Sequence, residues 1–253
     1  MLPGALSGLR VGCVSYLNSR PLIHGLDPAD IYLEVPAVLS RSFAEGKLDA
    51  ALLPVFEIFR LAAAAMADGI SISCVGEVFS VFVAAKCSFA ECEAIHADPS
   101  SRSSAALLRV LCAEYYRGPH VVEAPPEGDA PRLIIGDPAL AFRREHKADG
   151  WQFHDLGEFW LKHTGLPFVF AAWALGERCG VDTARLLREI KQTGIAAIPE
   201  IAATTSDPAA SEDYLRHKIR YDLGEQEKQA MRLFARLAHK HGLLPSERIP
   251  AFL

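Results

Sequence analysis

No block of basic residues runs through this sequence: 26 lysines and arginines face 31 aspartates and glutamates, a formal net charge of −5. A binder of phosphate backbones needs a concentrated basic face, so nucleic acid is not the expected partner. No stretch of about 20 apolar residues is free of charge, so no membrane span is expected. The opening residues, MLPGALSGLRVGC, lack a charged segment followed by a long apolar one, and the expected location is the cytoplasm. The six cysteines, Cys13, Cys74, Cys87, Cys92, Cys112 and Cys179, form no CxxC pair, and most sit in apolar runs. They are expected as buried free thiols of a reducing compartment. The closest histidines, His239 and His241, would not share a helix face. No metal and no cofactor are expected. The GxSxG, GxxxxGK[ST] and post-strand GxGxxG motifs are all absent, as are internal repeats, heptads and a carboxylate pair suited to acid–base work.

Apolar side chains, by contrast, make up 50% of the 253 residues, ample for one large domain or two small ones. The stretch at 11–26, VGCVSYLNSRPLIHGL, reads as a strand, a sharp polar turn and a first helix opened by Pro21 and stopped at Gly25. Ligands of open α/β sheets collect outside the carboxyl ends of strands, where helix N-termini point. Ser15, Tyr16 and Asn18 stand at such a place, although Asn18 as a helix cap and Tyr16 as a packed ring are equally compatible with the pattern.

Strand and helix patterns then alternate: strands near 31–35, 48–53 and 70–75, with helices opened by Pro36 and Pro54, the second running to Met66. Alternation of this kind implies a mainly parallel sheet. Asp49, beside an apolar run, reads as a solvated or capped turn residue. Two longer extended segments, at 76–86 and 166–175, bracket about one third of the chain. They suggest two crossings between lobes, with residues 1–82 plus 171–253 forming lobe 1, residues 83–170 forming lobe 2, and a cleft between. The middle piece repeats the alternation, and the C-terminal piece is helical, with Asp182 and Ser211 as caps, Gly194 as a stop and a long last helix from about Glu225.

The strongest local signal is Ser100, Ser101, Ser103 and Ser104 around Arg102 at a helix start. Hydroxyls, free backbone N–H groups and the positive end of the helix dipole make an anion site there. Asp137 directly follows a buried strand and either contacts a ligand or caps the next helix. Ser80 lies among apolar neighbours, and its buried hydroxyl must find a partner. These residues describe a two-lobed α/β protein with a small anion in its cleft, binding protein or enzyme.

The segment VSYLNSRPL at 14–22 closely resembles the opening motif of the menaquinone-biosynthesis family that contains chorismate dehydratase of the futalosine route. The likeness continues at LDAALLPVFE, FSVFVAAK, SSRSSAALLRVL, LIIGDPAL, DLGEFWLKHTGLPFVFAAWAL, YDLGEQE and HGLLP, in order and over nearly the whole chain. It implies a type II periplasmic-binding-protein-like α/β fold and loss of water from chorismate to give 3-[(1-carboxyvinyl)oxy]benzoate. The implied central residues are Asn18 and Ser80, with Ser103 and Ser104 holding a carboxylate. Ser15, Tyr16, Arg20, Ser101, Arg102, Asp137 and Phe168 complete the expected substrate contacts. The base is either the substrate's own enolpyruvyl carboxylate or Asp137. Many family members carry a basic residue just before the crossing serine, where this chain has Phe79, so Arg20 or Arg102 must compensate or the site is more apolar. Two rivals stand beside this expectation. One is a non-catalytic small-anion binding protein of the same fold. The other is the sister dihydroxynaphthoate synthase, which opens on a motif ending in Asn-Asp-Thr where this chain has SYLN.

Overall fold

The computed structural model describes residues 6, 8–61, 63–97, 102–116 and 118–253. The chain begins with β1 (Val11–Val14), a 3-10 turn (Leu17–Leu22), β2 (Ile31–Glu34), α1 (Pro36–Ala44), β3 (Ala50–Pro54), α2 (Val55–Leu61) and β4 (Ala65–Cys74). It then crosses to β5 (Val81–Ala85), β6 (Ala94–Ala97), α3 (Arg102–Leu111), β7 (His120–Val122), β8 (Arg132–Ile135), α4 (Gly136–Glu145), β9 (Gln152–Asp155) and α5 (Leu156–Thr164). It returns through β10 (Phe168–Leu175), α6 (Val181–Ala196), α7 (Ile198–Ala203), α8 (Pro208–Asp213), a π-type turn (Tyr214–Lys218), α9 (Glu225–Lys240) and β11 (Ala251–Phe252).

The strands form two sheets, ordered β11-β4-β10-β3-β1-β2 and β7-β6-β8-β5-β9. The two have one plan. In each, three consecutive strands pair in parallel, and the strand arriving from the other sheet inserts antiparallel: β10 between β3 and β4, β5 between β8 and β9. The mainly parallel pairing expected is therefore joined in each sheet by antiparallel pairings, because a strand entering from the opposite sheet runs against its hosts. The chain changes sheet between Cys74 and Val81 and again between Asp155 and Phe168. The boundaries expected at 82/83 and 170/171 lie inside β5 and β10.

Local chemistry explains the elements. β1 is buried along its length and sits inside its sheet, so it reads as an unbroken apolar run. Pro36 opens α1 at a position where a missing N–H costs nothing. Asp155 caps α5 by accepting from the N–H groups of Gly157 and Glu158. The core gathers Trp160, Phe168 and Phe234, with Phe168 5.2 Å from each of the other two rings.

Several local expectations change. Pro21 lies inside the first 3-10 turn, and Tyr16 precedes that turn. Met66 belongs to β4, since α2 ends at Leu61. Gly194 does not stop α6, which runs through it. A Cβ there would fall 1.7 Å from the Pro21 carbonyl oxygen, so glycine lets α6 press against the Leu17–Leu22 turn. The caps of α6 and α8 are Gly180 and Asp207, with Asp182 in a first turn and Ser211 inside its helix. Asp49 is buried and receives the guanidinium groups of Arg10 and Arg178. The Arg10 hydrogen bonds hold its pKa down to about 2. Among the described residues, no helix is long and apolar enough to cross a membrane. All six cysteines are free, and all but Cys87 are buried.

Candidate active site

Between the sheets lies a cavity of about 80 Å³, lined by Tyr16, Asn18, Ser80, Arg102, Ser103 and Ser104 and by an apolar wall of Val14, Ile72, Val78, Ile135 and Phe170. Three helices begin at its edge: α1 at Pro36, α3 at Arg102 and α4 at Gly136. The positive ends of the helix dipoles there favour negative charge. Among the described lining residues there is no carboxylate, imidazole or thiol, so the lining offers neither a metal-ligand set nor a side-chain base of ordinary strength.

The cavity's polar centre joins three parts of the chain. The Tyr214 hydroxyl donates to Ser80 Oγ at 2.7 Å and accepts from Asn18 Nδ2 at 3.1 Å. Ser80 is fully buried, Tyr214 is 4% exposed, and Asn18 Oδ1 is buried with no protein partner. Burial pushes the Tyr214 pKa well up, so this hydroxyl stays protonated. Tyr214 opens the π-type turn Tyr214–Lys218, and the segment beyond is pinned to β4 by an antiparallel bridge between Ser73 and Arg220. Its role could not be read from the sequence, where it falls in an ordinary apolar position of a short helix. The available signal was that a buried tyrosine hydroxyl needs a partner.

Ser80 is held by the backbone around it. The buried Asp155 carboxylate accepts from the N–H groups of Val78 at 3.1 Å and Phe79 at 2.8 Å, and from α5 at Gly157 and Glu158. Burial raises its pKa to about 6 against the pull of those donors. Phe79 has φ of 68°, a left-handed conformation rare for an aromatic residue. Its ring turns away from the cavity and is flanked by the Arg143 guanidinium at 4.0 Å and the Lys218 ammonium at 4.2 Å. The Ser80 carbonyl accepts from Gly136 N–H at 2.8 Å.

The SYLN turn docks on the start of α4. Gly136 has φ of 66°, and a Cβ there would lie 2.9 Å from the Tyr16 ring, so both backbone angle and contact require glycine. Beside it, Leu17 N–H donates to Asp137 Oδ1 at 2.9 Å. Asp137 thus does not cap α4 and instead ties the turn after β1 to the start of α4. Burial raises its pKa, partly opposed by the Leu17 N–H and by Arg20. On the facing wall, Ser103 Oγ accepts from Phe56 N–H at 3.2 Å, and Arg102 lies 3.7 Å from Glu57.

Four of the expected contacts, all among the described residues, do not gather in the cavity lining. Ser15 is exposed. Arg20 is exposed too and donates to Thr204 Oγ1 at 3.2 Å. Phe168 is 2% exposed and packed into the core, while Phe170, edge-to-face against it with ring centroids 4.8 Å apart, reaches the cavity. Asp137 sits beside the lining on its bond from Leu17. Ser101, like Ser100, lies outside the described residues. Of the two arginines expected to offset Phe79, Arg102 alone lines the cavity.

Comparisons with known proteins bear on this geometry. The chain is 26% identical to the chorismate dehydratase of Thermus thermophilus over 255 residues, covering 89% of this chain and 93% of that protein. It is 28% identical to the chorismate dehydratase of Campylobacter jejuni subsp. jejuni over 227 residues, covering 87% and 89%. Among solved structures, protein AF1704 of Archaeoglobus fulgidus matches with a TM-score of 0.70 at 15% identity, covering 93% of this chain and 98% of that one. The Candida albicans CA3427 gene product, described as having the generic periplasmic binding protein structural fold, matches with a TM-score of 0.60 at 12% identity, covering 94% and 91%. The fold is thus α/β and periplasmic-binding-protein-like, as the sequence resemblance implied. The family described as "Menaquinone biosynthesis" matches residues 9–240, and this chain belongs to that family.

Proposed function

We propose that the protein is a chorismate dehydratase, a carbon–oxygen lyase that removes water from chorismate to give 3-[(1-carboxyvinyl)oxy]benzoate. The observation that carries this reading is the pairing of Asn18 and Ser80 through Tyr214, in a cavity edged by helix N-termini and, among its described lining, without a side-chain base. The two dehydratase relatives support it.

The reaction suits such a site. The C–H bond breaks at the ring carbon that bears the enolpyruvyl ether. Its electron pair moves through the adjacent double bond into the ring carboxylate. The neighbouring C–O bond then breaks, the hydroxide leaves with a proton as water, and the ring becomes aromatic. Aromatisation supplies most of the driving force, so the protein must orient the ring and stabilise growing negative charge. Asn18 and Ser80 contact the reacting region. Ser103, Ser104 and the start of α3, with Arg102 beside them, hold a carboxylate. The substrate's enolpyruvyl carboxylate takes the proton, consistent with a lining that has no carboxylate of its own among the described residues. Asp137 is engaged by Leu17 N–H and holds the turn after β1.

The test is ultraviolet absorbance and chromatography of chorismate incubated with purified protein. Appearance of a carboxyvinyloxy-benzoate as chorismate disappears supports the proposal. Tight binding of chorismate without turnover refutes it and leaves a binding protein.

A further inference from the structure

The Tyr214 hydroxyl is hydrogen-bonded to both Asn18 and Ser80. A phenol has a single proton. That proton goes to Ser80 Oγ at 2.7 Å, and the phenol oxygen takes an N–H from Asn18 at 3.1 Å. Each bond fixes the polarity of its partner. With its oxygen already accepting from Tyr214, Ser80 has its own proton left to donate elsewhere. With its amide nitrogen turned to Tyr214, Asn18 leaves Oδ1 buried and unpartnered. Both groups line the cavity. Such a chain also strengthens its last donor, since each bond polarises the next in a low-dielectric interior.

We infer that Tyr214 is a positioning residue: its hydroxyl fixes Asn18 as a hydrogen-bond acceptor and Ser80 as a hydrogen-bond donor toward the bound molecule. The inference rests on the dehydratase reading and deepens it. It states which complement the substrate must carry: a hydroxyl to donate to Asn18 Oδ1, and an oxygen bearing negative charge to accept from Ser80. Chorismate carries both, and the charge on its ring carboxylate grows as the ring proton leaves. Tyr214 itself contacts neither reacting atom. It acts through the other two, so the three should behave as a unit.

The experiment compares steady-state chorismate dehydration by wild-type protein, Tyr214→Phe, Ser80→Ala and the double variant, with melting temperatures alongside. The Tyr214→Phe change is expected to lower kcat about tenfold to a hundredfold with little change in KM, because the lost alignment matters most as charge develops. In the Ser80→Ala background it should lower kcat far less, since the aligned group is already gone. A merely structural tyrosine would instead lower the melting temperature and multiply through both backgrounds. Incorporation of 3,5-difluorotyrosine at position 214 restores the hydroxyl without a change of fold, and should recover most of the lost rate even if the phenylalanine variant proves unstable. Wild-type kcat in Tyr214→Phe, or equal losses in both backgrounds, overturns the inference while leaving the dehydratase reading intact. Wild-type protein that leaves chorismate unchanged removes both.

Discussion

Leu17 N–H donates to Asp137 Oδ1 across 2.9 Å, joining the turn after β1 to the first turn of α4. Tyr16 lies against Gly136 immediately beside this bond. One short turn therefore carries Asn18 into the cavity and at the same time anchors the segment after β1 to the start of α4. In Asp137→Asn the side-chain oxygen can still accept from Leu17, so kcat is expected to stay within a few-fold of wild type. In Asp137→Ala the Leu17 N–H loses its partner, at a cost of about 1–3 kcal/mol, and KM for chorismate should rise. Steady-state kinetics of the two variants decide the matter. A large fall in kcat for Asp137→Asn with unchanged binding would make the carboxylate the base and contradict a substrate-assisted route.

Ser80→Ala should lower kcat roughly a hundredfold to a thousandfold, the usual cost of one aligned donor at developing charge, and Asn18→Ala should lower it by a similar factor because the acceptor that orients the substrate hydroxyl is lost. Chorismate binding, measured by calorimetry, should weaken much less. Near-normal turnover in either variant would remove that residue from the reacting region.

Phe168 separates packing from binding. Its ring is buried against Trp160, Phe170 and Phe234. Phe168→Leu should therefore lower the denaturation midpoint while leaving KM nearly unchanged, and Phe168→Ala should cost about 3–5 kcal/mol of stability. Phe170, which lines the cavity, should show the reverse balance when changed to leucine. An increase in KM confined to the Phe168 variant would return that residue to the substrate site.

Asp155 gives a pH signature. Its folded pKa is raised from an ordinary 3.8 to about 6 by burial. A raised pKa means folding favours the protonated form. The group's stabilisation is complete below about pH 4 and is lost as pH rises through about 6, by up to roughly 3 kcal/mol. Asp155→Asn has no such titration, so the variant should gain on wild type over that interval in urea denaturation series. A difference between the two proteins that stays flat from pH 4 to pH 7 would show that the carboxylate titrates normally.

Much of this arrangement is legible in the sequence because it is carried by local pattern. The alternating strands and helices, the SYLN turn, the serine-rich start of α3 and the buried hydroxyl of Ser80 each follow from short-range chemistry. What escapes is set by long-range contact. Tyr214 enters the site through a π-type turn far along the chain from Ser80. Asp137 resembles a cap until Leu17 arrives from the turn after β1. Gly194 resembles a helix stop, and only the Pro21 carbonyl explains why no side chain fits there. Phe168 and Phe170 are alike in sequence, and their packing partners alone assign one to the core and the other to the cavity. The antiparallel insertion of β5 and β10 likewise comes from the order in which the chain visits the two sheets, which periodicity does not encode.

The most direct measurement is the fate of chorismate with the purified protein, followed by absorbance and by chromatographic separation of products. A chorismate dehydratase converts it to a carboxyvinyloxy-benzoate, and Asn18→Ala loses that conversion. Chorismate recovered unchanged from wild-type protein that binds it tightly would contradict the account, and Asn18 and Ser80 would then be ligand contacts of a binding protein.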